Sequence, residues 1–141
     1  MGEINTYKDL HAWQVGMQTI ELTYAVTAHF PNEERYGLVA QMRRASVSIP
    51  SNVAEGHGVG AARWSLRYVR TAIGSSLELA TQLEAAVRLK MVSREETQPL
   101  AASIDRVQKL LYGMRRQRLA QIGATAGAGI VLLAVLLATS I

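Results

Sequence analysis

Cysteine is absent from this 141-residue chain, phenylalanine occurs once and proline three times. Without cysteine there is no disulfide framework and no thiolate metal site, a composition suited to a reducing compartment. Histidine is scarce too, and His11, His29 and His57 fall on different predicted elements. No HExxH spacing joins them, so a metal centre is not expected. The glycines are not arranged to cradle phosphate, because Gly56, Gly58 and Gly60 follow a helix and no Lys-Ser/Thr pair closes the pattern. Glu55, Glu78 and Glu84 offer carboxylates, but nothing supplies a nucleophile beside them. There is no strand signal of any length and no internal repeat. These absences argue against an enzyme and against a bound cofactor.

Charge is present in modest excess: 15 Lys and Arg against 11 Asp and Glu give a formal +4. Every basic residue precedes Leu119. Such a balance permits contact with nucleic acid or anionic lipid without requiring either. The opening residues Gly2, Glu3, Asn5, Lys8 and Asp9 are polar, which predicts no secretory leader.

Helical periodicity runs through most of the remainder. Thr6 followed by Asp9 predicts the cap of a first helix reaching about residue 29, with Leu10, Trp13, Met17, Ile20 and Tyr24 as its buried stripe. Phe30-Pro31-Asn32 breaks the chain, and Asn32, with Glu33 and Glu34 behind it, is placed to cap the second helix. That helix covers residues 36–58, on the apolar positions Leu38, Met42, Ala45, Val47, Ile49, Val53 and Ala54. Pro50 predicts a kink or restart, with Ser46, Ser48 and Ser51 at hand for the freed backbone groups, and Gly56 and Gly58 end the helix. A third helix follows Gly60 to about residue 91 through Leu66, Val69, Ile73, Leu77, Ala80, Leu83 and Val87. Within it Gly74, Ser75 and Ser76 would let a neighbour approach closely. Ser93 and Glu96 form a capping-box pattern, and Pro99 moves the start of the fourth helix to about Gln98. Leu100, Ile104, Val107, Leu111 and Met114 continue the core stripe. The expected architecture is all-α, four antiparallel helices with short connections.

The run QMRRASVSIPSNVAEGHG, with KDLHAWQ upstream and AIGSSLELATQLEAA downstream, resembles the family of 23S rRNA intervening-sequence proteins over roughly residues 5–118. The resemblance implies a small bacterial protein built as a left-handed up-and-down four-helix bundle. It also implies a ring-shaped homopentamer and no known enzyme activity. Similar bundles accompany reverse transcriptases of diversity-generating retroelements and bind RNA and protein there, so RNA and an unidentified protein are implied partners. Val59, Trp64 and Ala80 depart from the family's usual basic, acidic and glutamate residues at those places.

The end of the chain stands apart from that resemblance. Residues 119–141 carry no charge, and residues 130–138 read IVLLAVLLA. About 20 such residues suffice for a helix to cross roughly 30 Å of hydrocarbon. Arg115, Arg116 and Arg118 suit a cytoplasmic flank, and Gly123 and Gly127 are spaced for close helix packing. The chain is therefore read as a bundle over 1–118 and an added C-terminal hydrophobic helix over 119–141. That helix would be a tail anchor in membrane lipid, holding a cytoplasmic bundle at the inner membrane. A tail buried at the centre of an oligomeric ring remains the alternative; an interfacial helix would need a polar face, which is missing.

Three residue sets carry the functional expectations. Arg43, Arg44, Asn52, Glu55, Glu78 and Gln82 are expected to form a polar layer fixing helix register or subunit pairing. In a competing reading Arg43 and Arg44 face outward and bind phosphate. Arg63, Arg67, Arg70, Lys109, Arg115, Arg116 and Arg118 are the candidate nucleic-acid contacts, with Trp64 and Tyr68 available to stack on bases. Trp13, Tyr24, Trp64 and Tyr68 are expected at an interface between copies of the chain. The leading expectation is a non-enzymatic homo-oligomeric scaffold on a membrane; the second is an RNA-binding accessory protein.

Overall fold

The periodic segments become four α-helices: α1 (His11–Thr27), α2 (Leu38–Gly58), α3 (Ala62–Arg88) and α4 (Gln98–Ala138). Single 3-10 turns stand at Tyr7–Asp9 and Asn32–Glu34. The computed structural model describes residues 4–138, and side chains among them through residue 129; no strand occurs among the described residues. Each helix packs on two neighbours, α1 on α2 and α4, and α3 on α2 and α4, as a four-helix bundle. Met42, Ile49, Val53, Val69, Leu79, Leu100, Val107 and Leu111 fill its interior. Hydrogen bonds tie the helices at Thr27–Arg43, Gln41–Gln82, Ser48–Ser75, Ser65–Arg118 and Thr19–Ser103.

The ends of the helices follow local chemistry, with two shifts from expectation. The Thr6–Asp9 box forms, but it closes the 3-10 turn, and α1 starts after Leu10 without a side-chain cap. Asn32 does not cap α2. Gly37 holds that position, and Glu34 Oε2 accepts from the Leu38 N–H at 3.0 Å. At the far turn Ser93 and Glu96 exchange bonds of 2.9 and 3.2 Å, and α4 begins at Gln98. Those bonds from Ser93 hold the Glu96 carboxyl below its usual range; Arg88 and Arg94 do the same for Glu84. Both carboxylates are solvated, so the effect on stability is small.

Pro50 brings no restart, since α2 passes through it. The neighbouring hydroxyls turn to other carbonyls, Ser46 to Arg43 at 2.7 Å and Ser51 to Val47 at 2.8 Å. The ring of Pro50 lies instead against Gly16 of α1. A Cβ at Gly16 would stand 3.0 Å from Pro50 Cβ and 3.2 Å from Cδ. Gly56 is likewise buried inside α2, where a Cβ would stand 3.1 Å from Tyr68 Cβ. Gly74 contributes no close approach; Ser75 and Ser76 beside it are the buried residues.

The inner face of α1 is not the predicted one. Ala12, Val15, Gly16, Thr19, Thr23 and Thr27 are buried, while Met17 is 36% and Tyr24 44% exposed. Threonine is tolerated there because each hydroxyl donates to its own helix four residues back, Thr19 to Val15, Thr23 to Thr19 and Thr27 to Thr23, at 2.7–2.8 Å. The large residues Leu10, Trp13 and Ile20 lie half-buried on the flank.

The C-terminal segment is not a separate helix either: α4 is one helix of 41 residues that continues past Arg118. No residue from 119 to 129 is buried, and residues 123–129 are exposed on every side. Among the described residues no helix is long and apolar enough to cross a membrane. The run 130–138 that motivates a span lies outside the described side chains, and residues 139–141 lie outside the described residues.

The close approach at Gly16 yields a contrast between two glycines. Gly16→Val inserts bulk against a rigid ring and is expected to cost about 1–3 kcal/mol, lowering the thermal midpoint. Gly74→Ala meets nothing within 4 Å and should gain up to about 1 kcal/mol. Calorimetry of both variants checks the signs.

Candidate functional site

The six polar residues do not form one connected layer. Nine positions separate Arg43 from Asn52, which is about two and a half helical turns, so they leave α2 in opposite directions. Arg43 turns to α1: its Nε donates to Thr27 Oγ1 at 2.9 Å and its guanidinium lies 4.4 Å above the Tyr24 ring. Asn52 bonds within α2: its Nδ2 donates to the Ser48 carbonyl at 2.8 Å and to Ser48 Oγ at 3.1 Å. Ser48 Oγ in turn pairs with Ser75 Oγ at 2.8 Å. A third group lies further along the α2–α3 seam, where Gln82 Nε2 donates to Glu78 Oε1 at 2.9 Å and reaches Gln41 Oε1 at 3.5 Å. Arg44 and Glu55, eleven positions apart and hence on one face, are both exposed. Gln82 Oε1 is buried and accepts no hydrogen bond among the described residues.

The basic set divides as well. Arg63, Arg67 and Arg70 are exposed along α3, and the ion pairs among the described residues are Glu84 with Arg88 and Arg94, and Asp105 with Lys109. Lys109 is thus held by its own helix. Arg115 stacks 4.8 Å over Tyr112, and Arg118 donates to Ser65 Oγ and Gln121 Oε1 at 3.0 Å each. Arg116 is exposed. Only part of the set therefore presents guanidinium to solvent.

The four aromatic residues also fall in different places. Trp13 packs edge-on to Tyr7, centroids 5.5 Å apart, and rests on the core. Tyr68 is half-buried against Gly56. Trp64, in the first turn of α3, is 60% exposed. Tyr24 carries Arg43 on its face. No cluster of three or more metal-ligating side chains occurs among the described residues. An open, mainly apolar cleft of about 270 Å³ lies between α1 and the α3–α4 turn, lined by Leu22, Val26, Met91, Val92 and Leu100 with His29 and Glu96 beside them.

Sequence reasoning passed over the threonine ladder of α1 and its bond from Thr19 to Ser103 of α4, 2.8 Å. The signal was present as Thr19, Thr23 and Thr27 at four-residue spacing. Large apolar residues drew the stripe to the wrong face.

Two substitutions separate the bonded groups from the orphaned one. Asn52→Leu takes the Nδ2 donor away from the part-buried Ser48 carbonyl and Oγ and should cost about 1–3 kcal/mol. Gln82→Met removes a buried acceptor without a partner but also the Nε2 bonds to Glu78 and Gln41, so gain and loss offset and its cost should fall below that of Asn52→Leu. Denaturant titration of the two variants reads the difference.

The comparisons with known proteins agree with this architecture. A crystal structure described as a protein of unknown function from the S23 ribosomal protein family of Bacteroides thetaiotaomicron superposes with a TM-score of 0.63. It is 19% identical, and the match covers 78% of this chain and 95% of that one. Identity that low supports the fold alone. No curated protein matches the chain. Residues 8–113 match the family model of the 23S rRNA-intervening sequence protein, and on that match across most of its length the chain belongs to this family.

Proposed function

We propose that this chain is a non-enzymatic, homo-oligomeric scaffold: an antiparallel up-and-down four-helix bundle that assembles into a ring of five and is tethered to the inner membrane by the end of α4. The observation that carries self-assembly is the second stripe of α1. Leu10, Trp13, Met17, Ile20 and Tyr24 recur at alternating spacings of three and four, the a/d pattern of a helix that packs on another helix. The core of the chain uses a different face, the threonine ladder, so this apolar stripe has no full cover within one copy. A second copy buries it. The tether follows from the uncharged continuation of α4, whose residues 123–129 find no cover in their own chain either.

Light scattering of the full chain in mild detergent is expected to give a multiple of the protomer mass, and Met17→Arg on the exposed stripe should reduce it. A native chain of protomer mass overturns the assembly. In cell fractions the protein should stay with membranes through carbonate and high salt, because apolar burial is not screened by ions. A chain soluble without detergent removes the tether.

The second reading, RNA binding, is favoured by the exposed Arg63, Arg67 and Arg70 of α3, which enter none of the described ion pairs, beside the exposed Trp64. With an unidentified protein partner, such a surface would serve an accessory role. Filter binding to single-stranded RNA should then weaken with salt at a log–log slope of about −0.7 per phosphate contact. Absence of binding at low salt rejects it.

A further inference from the structure

The position of the α2–α3 turn along α4 has a consequence for the tethered protein. Arg118 Nε donates to Ser65 Oγ at 3.0 Å, which pins α4 beside the start of α3. One turn beyond, Ala61, Ala62 and Arg63 line a groove with Ile122, Thr125 and Ala126 of α4. The tip of the bundle is therefore level with residues 122–126. Ile130 opens the apolar run four to eight positions later, about 6–12 Å along a helix. The polar layer on each side of a bilayer is about 5–7 Å thick, from roughly 40–45 Å in total around 30 Å of hydrocarbon. When that run enters hydrocarbon, the near edge of the tip, level with Ala126, comes to the outer boundary of that polar layer.

The chemistry of the tip fits such a position. Residues 58–62, Gly-Val-Gly-Ala-Ala, carry no charge. Val59 is 42% exposed, and Trp64 projects beside it from the first turn of α3. Arg63, Arg67 and Arg116 are exposed around this end, with Arg118 half-buried. Among the described residues the acidic groups at this end are few: Glu55 lies about one turn before the end of α2, and Asp9 is engaged with the N–H groups of Asn5 and Thr6. Tryptophan above apolar residues and within a set of guanidiniums is the composition that settles at the headgroup level of an anionic leaflet.

We propose that the α2–α3 turn and Trp64 dock into the headgroup layer of an anionic phospholipid bilayer, with the surrounding arginines on lipid phosphates. This rests on the tail-anchor reading and adds a second, independent attachment to it. Docking fixes the bundle's tilt as well as its distance from the membrane.

The test uses the full chain in phosphatidylglycerol–phosphatidylcholine vesicles. Trp13→Phe leaves Trp64 as the sole indole, and its emission should be quenched by lipids brominated near the headgroup end of the acyl chain. Because the chain has no cysteine, Val59→Cys and Leu89→Cys supply single thiols at opposite ends of α3. In vesicles a water-soluble maleimide should label Leu89→Cys freely and Val59→Cys several-fold more slowly. If Trp64 is unquenched and both thiols react alike, on protein that still floats with the vesicles, the docking is overturned while the tail anchor stands. Protein that fails to float overturns both.

Discussion

The unusual inner face of α1 is organised around the contact between Gly16 and Pro50. A helix–helix crossing in which one partner has no Cβ and the other offers a flat ring brings two backbones unusually close. Close backbones leave little room for branched carbon between them. The inner face of α1 is accordingly small and threonine-rich, and its hydroxyls satisfy themselves on the carbonyls of the preceding turn. Such a face packs tightly, and Thr19 and Thr27 each add one bond to another helix, to Ser103 of α4 and from Arg43 of α2. Pro50 costs α2 one backbone donor, and its burial against α1 is what the chain gains in return.

The same contact decides what the outside looks like. Once small residues occupy the core side of α1, the large ones have only the flank left, and Met17 and Tyr24 emerge on the surface. Arg43 then caps this region, stacked on Tyr24 and bonded to the last threonine of the ladder. At the opposite end, the unbroken α4 carries the bundle's geometry into the uncharged segment. Arg118, bonded back to Ser65, ties that part of α4 to the start of α3.

Membership in the 23S rRNA-intervening sequence protein family accounts for the bundle and leaves its surfaces to be read individually. Val59 and Trp64 show why. An apolar and an aromatic side chain stand exposed at these places. Val53, Leu66 and Val69, which flank this stretch in the chain, are buried.

The amino-acid sequence by itself determined the helices, their order and most of the core of α2, α3 and α4, although Val47 and Leu77 of the expected stripes are 41% and 47% exposed. Leu66, Val69, Leu83, Leu100, Ile104 and Leu111 repeat at a period that only a helix places on one face, and all are buried. It also determined the start of α4, since Ser93, Glu96 and Pro99 act through neighbours in the chain. Where the answer depended on a residue far away, local pattern failed. Periodicity gives the spacing of a stripe but not which of two stripes faces inward, and on α1 that depended on Pro50 approaching Gly16 from another helix. The polar residues of the central motif met the same limit. Arg43 and Asn52 are near in sequence, yet one bonds to α1 and the other within α2, because the rotation of α2 between its neighbours is set by packing, and packing exists only once the four helices have come together.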